Sequence, residues 1–340
     1  TTLYEPKKKA EISYKERVEI ITCKNDFFLG GYGYSSEFKK KLKEIWKDYD
    51  IVHIHGHGRY TSNFAMGFLN KKKPFIYSGQ GFFHSKKNYI FKKMYDILFK
   101  NRLKKASFCT ALTNLEKTKL LNLGVNSKKI KIIPGGVDLK EFKPLKNLNS
   151  LRKKYIGKGV NKKILLYIGR IHESKGLQYV INAIKNIDLK FIIVGENAGY
   201  ESKLKLMVKN FNIKNKVKFL GKVGKKELIE LYNISDIFIL FSEWEGFGLV
   251  VIEAMAFGKP VIVSNKGALP LLVKDGENGL VANYPNTEEL KSKIKKLLKD
   301  DNKRKKLGKK AKKFSKKFDW NKIVKIYLST YKTAWRSFNG

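Results

Sequence analysis

The sequence predicts an α/β protein built from two doubly wound domains, and three observations carry that prediction. Short β-branched or apolar runs alternate with amphipathic segments along the whole chain, the pattern of strands and crossover helices. The runs of the second half are apolar on both faces, as strands covered by helices on both sides must be. A length of 340 residues with 42% hydrophobic content exceeds what one modest core organises and rules out a disordered chain. In the first half the strands fall at 18–22, 51–55, 74–78, 108–113 and 131–134, with helices near 36–46, 89–103 and 115–123. Residues 137–163, rich in Lys, Asn and Gly, lose the periodicity and read as the linker. The run 164–168 restarts it, followed by strands at 191–194, 217–220, 237–241 and 260–263 and helices near 177–185, 201–211, 225–232 and 249–257. A helix at 288–299 aligns Leu290, Ile294, Leu297 and Leu298, and a last helix aligns Trp320, Ile323, Val324, Tyr327 and Tyr331. The expected domains are 1–144 and 145–318, with a terminal helix at 319–340.

Composition narrows the partners. Against 30 Asp+Glu stand 72 Lys+Arg, a formal charge of +42 that favours polyanions, anionic membranes or phosphorylated ligands. Lysine outnumbers arginine and no recognition module is visible, so no specific nucleic-acid partner is expected. Two cysteines, Cys23 and Cys109, are too few for a disulfide scaffold. No apolar run reaches the ~18 residues of a membrane span, and no signal pattern opens the chain. The expectation is a cytoplasmic protein, with attachment to the inner face of a membrane as an option. Residues 86–105 support that option, interleaving aromatic and aliphatic side chains with eight cations.

Two segments carry chemistry. Residues 242–260, SEWEGFGLVVIEAMAFGKP, follow a buried strand, turn through Gly246 and Gly248, and open a helix near Leu249. A helix N-terminus at the end of a parallel strand offers N–H groups to a phosphate. Glu245 in the loop and Glu253 one turn into the helix can both accept hydrogen bonds from sugar hydroxyls. Glu253, among Ile252, Ala254 and Met255, equally fits a structural carboxylate satisfied by backbone. Residues 169–176, GRIHESKG, follow the strand 164–168, and Arg170 and Lys175 there can both reach a diphosphate in the same crevice. His53, His55 and His57 would share a strand face and could in principle hold zinc, but a lone motif carries that weakly.

These motifs, with IPGGVD at 133–138, DIVHIHG at 50–56 and GENGL at 276–280, resemble glycosyltransferase family 4, the retaining nucleotide-sugar enzymes of the GT-B fold. The resemblance covers nearly the whole chain and implies two Rossmann-like domains facing a central cleft. It implies that Arg170 and Lys175 hold the donor diphosphate, Glu245 the transferred sugar and Glu253 the ribose. It also implies that Gly169 and the backbone of Gly246, Phe247, Gly248, Leu249 and Val250 complete the donor site. His55, Gln80 and His84 are the acceptor-side candidates. Neither cofactor nor metal is implied, and the partners are a nucleotide-sugar donor, a glycan or lipid-linked acceptor and an anionic membrane surface. Against the family pattern, Thr1 aligns after a first strand, glycine-rich loop and helix, so that unit is expected to be missing. Gly30, Gly31 and Gly33 read as an ordinary turn, Gln80 stands where His is usual, and Ala268 and Leu271 replace a usual Gly and Glu. The alternatives are a basic protein that binds nucleic acid or an anionic surface on a non-catalytic scaffold, and a glycosidase using Glu245 and Glu253. A dinucleotide-dependent oxidoreductase is disfavoured, because no Gly-x-Gly-x-x-Gly follows a strand and opens a helix.

Overall fold

Six parallel strands organise residues 135–323. From edge to edge they are Val217–Gly221, Lys190–Val194, Ile164–Ile168, Ile237–Leu240, Val261–Ser264 and Leu280–Ala282. In chain order this is 3-2-1-4-5-6, which bears out the doubly wound α/β reading. The computed structural model describes residues 11–15, 18–29, 32–79, 96–97, 99–157 and 161–340. Every residue of Ile164–Ile168 and Ile237–Leu240 is buried, as the unbroken apolar runs require. Helix Leu177–Ile184 covers them by turning Leu177, Val180, Ile181 and Ile184 inward.

Residues 137–163, read from the sequence as a linker, carry the helix Leu148–Ile156. Tyr155 and Ile156 are buried, and Arg152 donates to Asp236 and to the carbonyl of Ile234, tying this segment into the second unit. The helix escapes sequence reading because polar tethers, more than an apolar stripe, hold it. Helix Asp301–Ser315 was likewise hidden among lysines. Its inward face is Leu307, Gly308 and Ala311, with Arg304 turned in to cap the carbonyls of Leu297 and Leu298.

Residues 1–134 and 324–340 form the other unit. Its parallel strands Val52–His55, Phe75–Ser78, Phe108–Ala111 and Ile130–Ile132 lie side by side in chain order. Val18–Thr22 pairs antiparallel with Glu11–Lys15 instead of joining them, as its charged, half-buried Glu19 suits a two-stranded ribbon. Phe27–Leu29 and Tyr32–Tyr34 pair antiparallel on either side of Gly30 and Gly31. Helix Tyr60–Leu69 is unanticipated, its inward face including the polar Ser62 and Asn63. Most of the helix expected at 89–103 lies outside the described residues.

The last helix, Trp320–Asn339, contributes its larger part to this unit. There Tyr331 Oη lies 2.7 Å from His53 Nδ1, and His53 Nε2 lies 2.6 Å from Ser78 Oγ, itself bonded to the Thr110 hydroxyl. Burial first, and the neighbouring His55 second, hold the His53 pKa down to about 3, so the ring is neutral. His57 faces Tyr77 and Asp96 instead, at 2.8 and 2.6 Å, so the three imidazoles do not converge as zinc ligands would.

One backbone position sets how close the loops above the second sheet come. Gly176 has φ +68°, and a Cβ there would lie 2.0 Å from the carbonyl oxygen of Phe241. Gly199 shares a positive φ, +89°, with open space around it. Gly176→Ala is therefore expected to lower the free energy of unfolding by roughly 2–4 kcal/mol. Gly199→Ala should cost only about 1 kcal/mol, and urea titrations of the two variants measure the difference.

Candidate active site at the switch point of the second sheet

Ile164–Ile168 and Ile237–Leu240 are neighbours whose following connections run to opposite sides of the sheet. A parallel sheet opens a crevice at such a point, beyond the carboxyl ends of the two strands. The chain leaves the first strand as Gly169 to Gly176 and the second as Phe241 to Gly248, so both sequence-selected segments arrive at this crevice.

Each loop is held by specific bonds. Gly169 N–H donates to the carbonyl of Val194 and Ile171 N–H to that of Glu196, continuing the sheet past the strand end. Tyr167 Oη donates to the Arg170 carbonyl at 2.9 Å. The 3₁₀ turn Glu173–Lys175 is capped by His172, whose Nδ1 accepts from Ser174 N–H. Glu243 N–H donates to the Ser174 carbonyl at 2.8 Å, stitching the two loops together. On the other flank Ala268 N–H donates to the Glu245 carbonyl, and a Cβ on Gly267 would sit 2.3 Å from that oxygen. The departures at Ala268 and Leu271 leave this clamp intact, because it uses backbone atoms.

Within that frame Lys175 Nζ donates to Glu245 Oε2 at 2.7 Å, both side chains mostly shielded from solvent. Arg170 is exposed on the same rim. Its charge and that of Glu245 both act on the Tyr167 hydroxyl, whose pKa burial drives up, Glu245 raising it further and Arg170 opposing. Helix Leu249–Ala256 starts at Gly248, φ +91°, with no side chain capping it and with Leu249 exposed. Val251 and Ile252 N–H donate to the Gly248 carbonyl, which leaves the N–H groups of Leu249 and Val250 as those without an intrahelical acceptor. Phe247 is buried against Phe318, ring centroids 5.9 Å apart, so only its backbone can serve a ligand.

Glu253, one turn into that helix, is half-buried and accepts from Tyr232 Oη at 2.7 Å. Burial raises its pKa and the tyrosine bond opposes the rise. Sequence reasoning missed Tyr232 and Tyr167. The signal for Tyr167 was a single hydroxyl in an otherwise hydrocarbon strand; Tyr232 had none, its partner being 21 residues away. Of the acceptor-side candidates, His55 stands at a strand end of the first unit with its ring 4.0 Å from that of His53. Gln80 and His84 lie outside the described residues. The arrangement can hold an anion between two cations and a helix N-terminus, with carboxylates beside it for hydroxyls.

Both units resemble known glycosyltransferases. Residues 151–314 match the model of glycosyl transferases group 1, and residues 2–141 that of Glycosyltransferase Family 4. The chain is 38% identical over 152 residues to an uncharacterized glycosyltransferase of Methanocaldococcus jannaschii, covering 44% of this chain and 42% of that protein. It is 33% identical over 156 residues to N-acetyl-alpha-D-glucosaminyl L-malate synthase of Bacillus anthracis, covering 46% and 40% respectively. These matches span about two fifths of the length of those relatives. Among solved structures, a glycosyltransferase from Rickettsia africae superposes with TM-score 0.75 at 26% identity, covering 87% of this chain and 80% of that one. Others superpose at TM-score 0.80 with 20–21% identity, a likeness of the two-Rossmann GT-B fold alone. With both units matched, the chain belongs to the group 1 glycosyltransferases of family 4.

Proposed function

We propose that this protein moves a sugar from a nucleoside-diphosphate-sugar donor to a glycan or lipid-linked acceptor, with retention of configuration and without a metal ion. The observation that carries the reading is the Lys175–Glu245 pair at the switch point, beside Arg170 and the uncapped start of helix Leu249–Ala256. In the reaction the bond between the anomeric carbon and the diphosphate oxygen breaks, and its electron pair stays with the diphosphate. Lys175, Arg170 and the helix N–H groups face that growing negative charge, while Glu245 lies beside the sugar, whose ring turns positive. The acceptor hydroxyl attacks the same face, and its proton passes to the departing phosphate. Glu253 accepts from the ribose hydroxyls. A nucleoside-diphosphate sugar brings matching groups: anionic oxygens for two cations, ribose hydroxyls for Glu253 and sugar hydroxyls for Glu245.

The +42 charge favours an acceptor presented at an anionic membrane surface. Among the described residues no helix is long and apolar enough to cross a membrane, so contact there would be with the surface. Residues 86–95, part of the segment read from sequence as a surface helix, lie outside the described residues.

Two outcomes are expected. UDP, GDP or ADP should raise the melting temperature of the protein by mass action. Arg170→Ala and Lys175→Ala should each weaken that binding about tenfold to a hundredfold, as loss of a charge-assisted bond does. If no nucleoside diphosphate binds, or both variants bind like the parent, the reading is wrong. The second outcome concerns pH. Because the folded-state pKa of Glu253 is raised, the folded protein holds more protons than the unfolded chain between the ordinary glutamate pKa and the raised one. Stability falls as pH rises through that window, and the penalty is complete above it. Glu253→Gln should therefore melt higher than the parent at neutral pH, with the gain vanishing in acid below the ordinary glutamate range. Melting curves recorded across pH without ligand check the sign.

A further inference from the structure

We infer that Tyr232 is a positioning residue for the nucleoside end of the donor, acting through Glu253; the inference rests on the reading of Glu253 as the ribose-binding group. Tyr232 sits on helix Lys225–Ile234 and is 2% exposed. Its ring stacks on Phe257, centroids 5.1 Å apart and planes within 16°, and lies 6.0 Å from Phe238. Packing of that kind asks only for a ring, and phenylalanine would supply it. The hydroxyl is a separate matter, since a buried phenol must find an acceptor. It finds Glu253 Oε2 at 2.7 Å, with the Val250 carbonyl farther off at 3.3 Å. A phenol has one proton, and the charged, nearer oxygen takes it.

That choice has a consequence for recognition. A free glutamate turns about three side-chain bonds and presents its oxygens in many directions. Here one oxygen is pinned from a neighbouring helix, which fixes the carboxylate plane and leaves Oε1 as the acceptor for a ligand. The two vicinal hydroxyls of a ribose are a diol whose recognition depends on that plane. Tyr232 itself is sealed under Phe257 and Phe238 and does not touch the ligand; its effect travels through the angle at which Glu253 is held. The hydroxyl thus sharpens discrimination between ribose and its deoxy forms, where a purely structural tyrosine would change stability alone.

The test compares the tightest binder among UDP, GDP and ADP with its 2′-deoxy and 3′-deoxy counterparts, using calorimetry on the full chain. In the parent, loss of the hydroxyl that Glu253 accepts should weaken binding about tenfold. In Tyr232→Phe that ratio should shrink to about twofold or less, although binding of the diphosphate portion persists. A parent indifferent to the deoxy change overturns the ribose role of Glu253 and this inference with it. A parent that discriminates, beside a Tyr232→Phe variant that discriminates equally, overturns the inference and leaves the ribose role standing. Should the single variant fail to fold, Glu253→Ala and Glu253→Ala/Tyr232→Phe replace it, since without the acceptor at position 253 the Tyr232 hydroxyl has nothing to orient. These two should discriminate alike, and a further loss in the double variant would show Tyr232 acting on its own, against the inference.

Discussion

The site depends on how closely two neighbouring strand ends can approach. Strands Ile164–Ile168 and Ile237–Leu240 lie side by side in the sheet, so their exit loops start within one strand spacing of each other. Gly176, by having no side chain, lets the first loop fold down onto the carbonyl of Phe241, and the Glu243-to-Ser174 backbone bond closes the gap. Only then can a lysine from one loop meet a glutamate from the other. Gly267 performs the same service on the far flank, where its bare Cα lies under the Glu245 backbone. The side chains of the candidate site are set by backbone contacts, which explains why departures nearby, such as Ala268 and Leu271, are tolerated by the geometry.

Charge acts at two scales. Over the whole surface, +42 makes a field that draws any anion, and nothing in such a field distinguishes a nucleotide from another polyanion. Selectivity must come from places where positive charge is balanced locally. Lys175 is paired with Glu245, so in the proposed reading an incoming diphosphate would compete with a carboxylate for the ammonium. A ligand that brings only phosphate leaves Glu245 without its partner, while one that also brings sugar hydroxyls gives Glu245 something in return. In the proposed donor complex the pair would tie recognition of phosphate to recognition of sugar, through the cost of leaving a shielded charge unpaired.

Much of the second unit was legible because its strands are predominantly apolar runs and its helices amphipathic. Runs such as Ile164–Ile168 and Ile237–Leu240 admit no other reading between turn signals. The failures share a physical cause. Helices Leu148–Ile156, Tyr60–Leu69 and Asp301–Ser315 are held by polar tethers, buried Ser62 and Asn63, or a seam of small residues, so none advertises an apolar stripe. Strand Leu280–Ala282, only three residues long, was noticed as a motif and not as a strand. At the site, residues on loops were legible because glycines and charges stand out locally. Tyr232 was not, because the bond to Glu253 is a property of two helices and leaves no trace in either segment alone.

The first unit shows the same logic in another form. His53, Ser78 and Thr110 occupy three adjacent parallel strands, and their polar side chains join in one chain of hydrogen bonds that ends on Tyr331 of the last helix. An apolar contact would have held that helix with less demand on direction. A half-buried imidazole, kept neutral by desolvation, has one nitrogen to give a proton and one to receive it. It therefore accepts only a partner on each side at the right angle, and a helix shifted along its axis would leave both His53 and Ser78 wanting. Such a network fixes register more strongly than it adds stability. In both units, then, buried hydroxyls are placed where a helix or a carboxylate has to stand in one orientation among several that packing alone would permit.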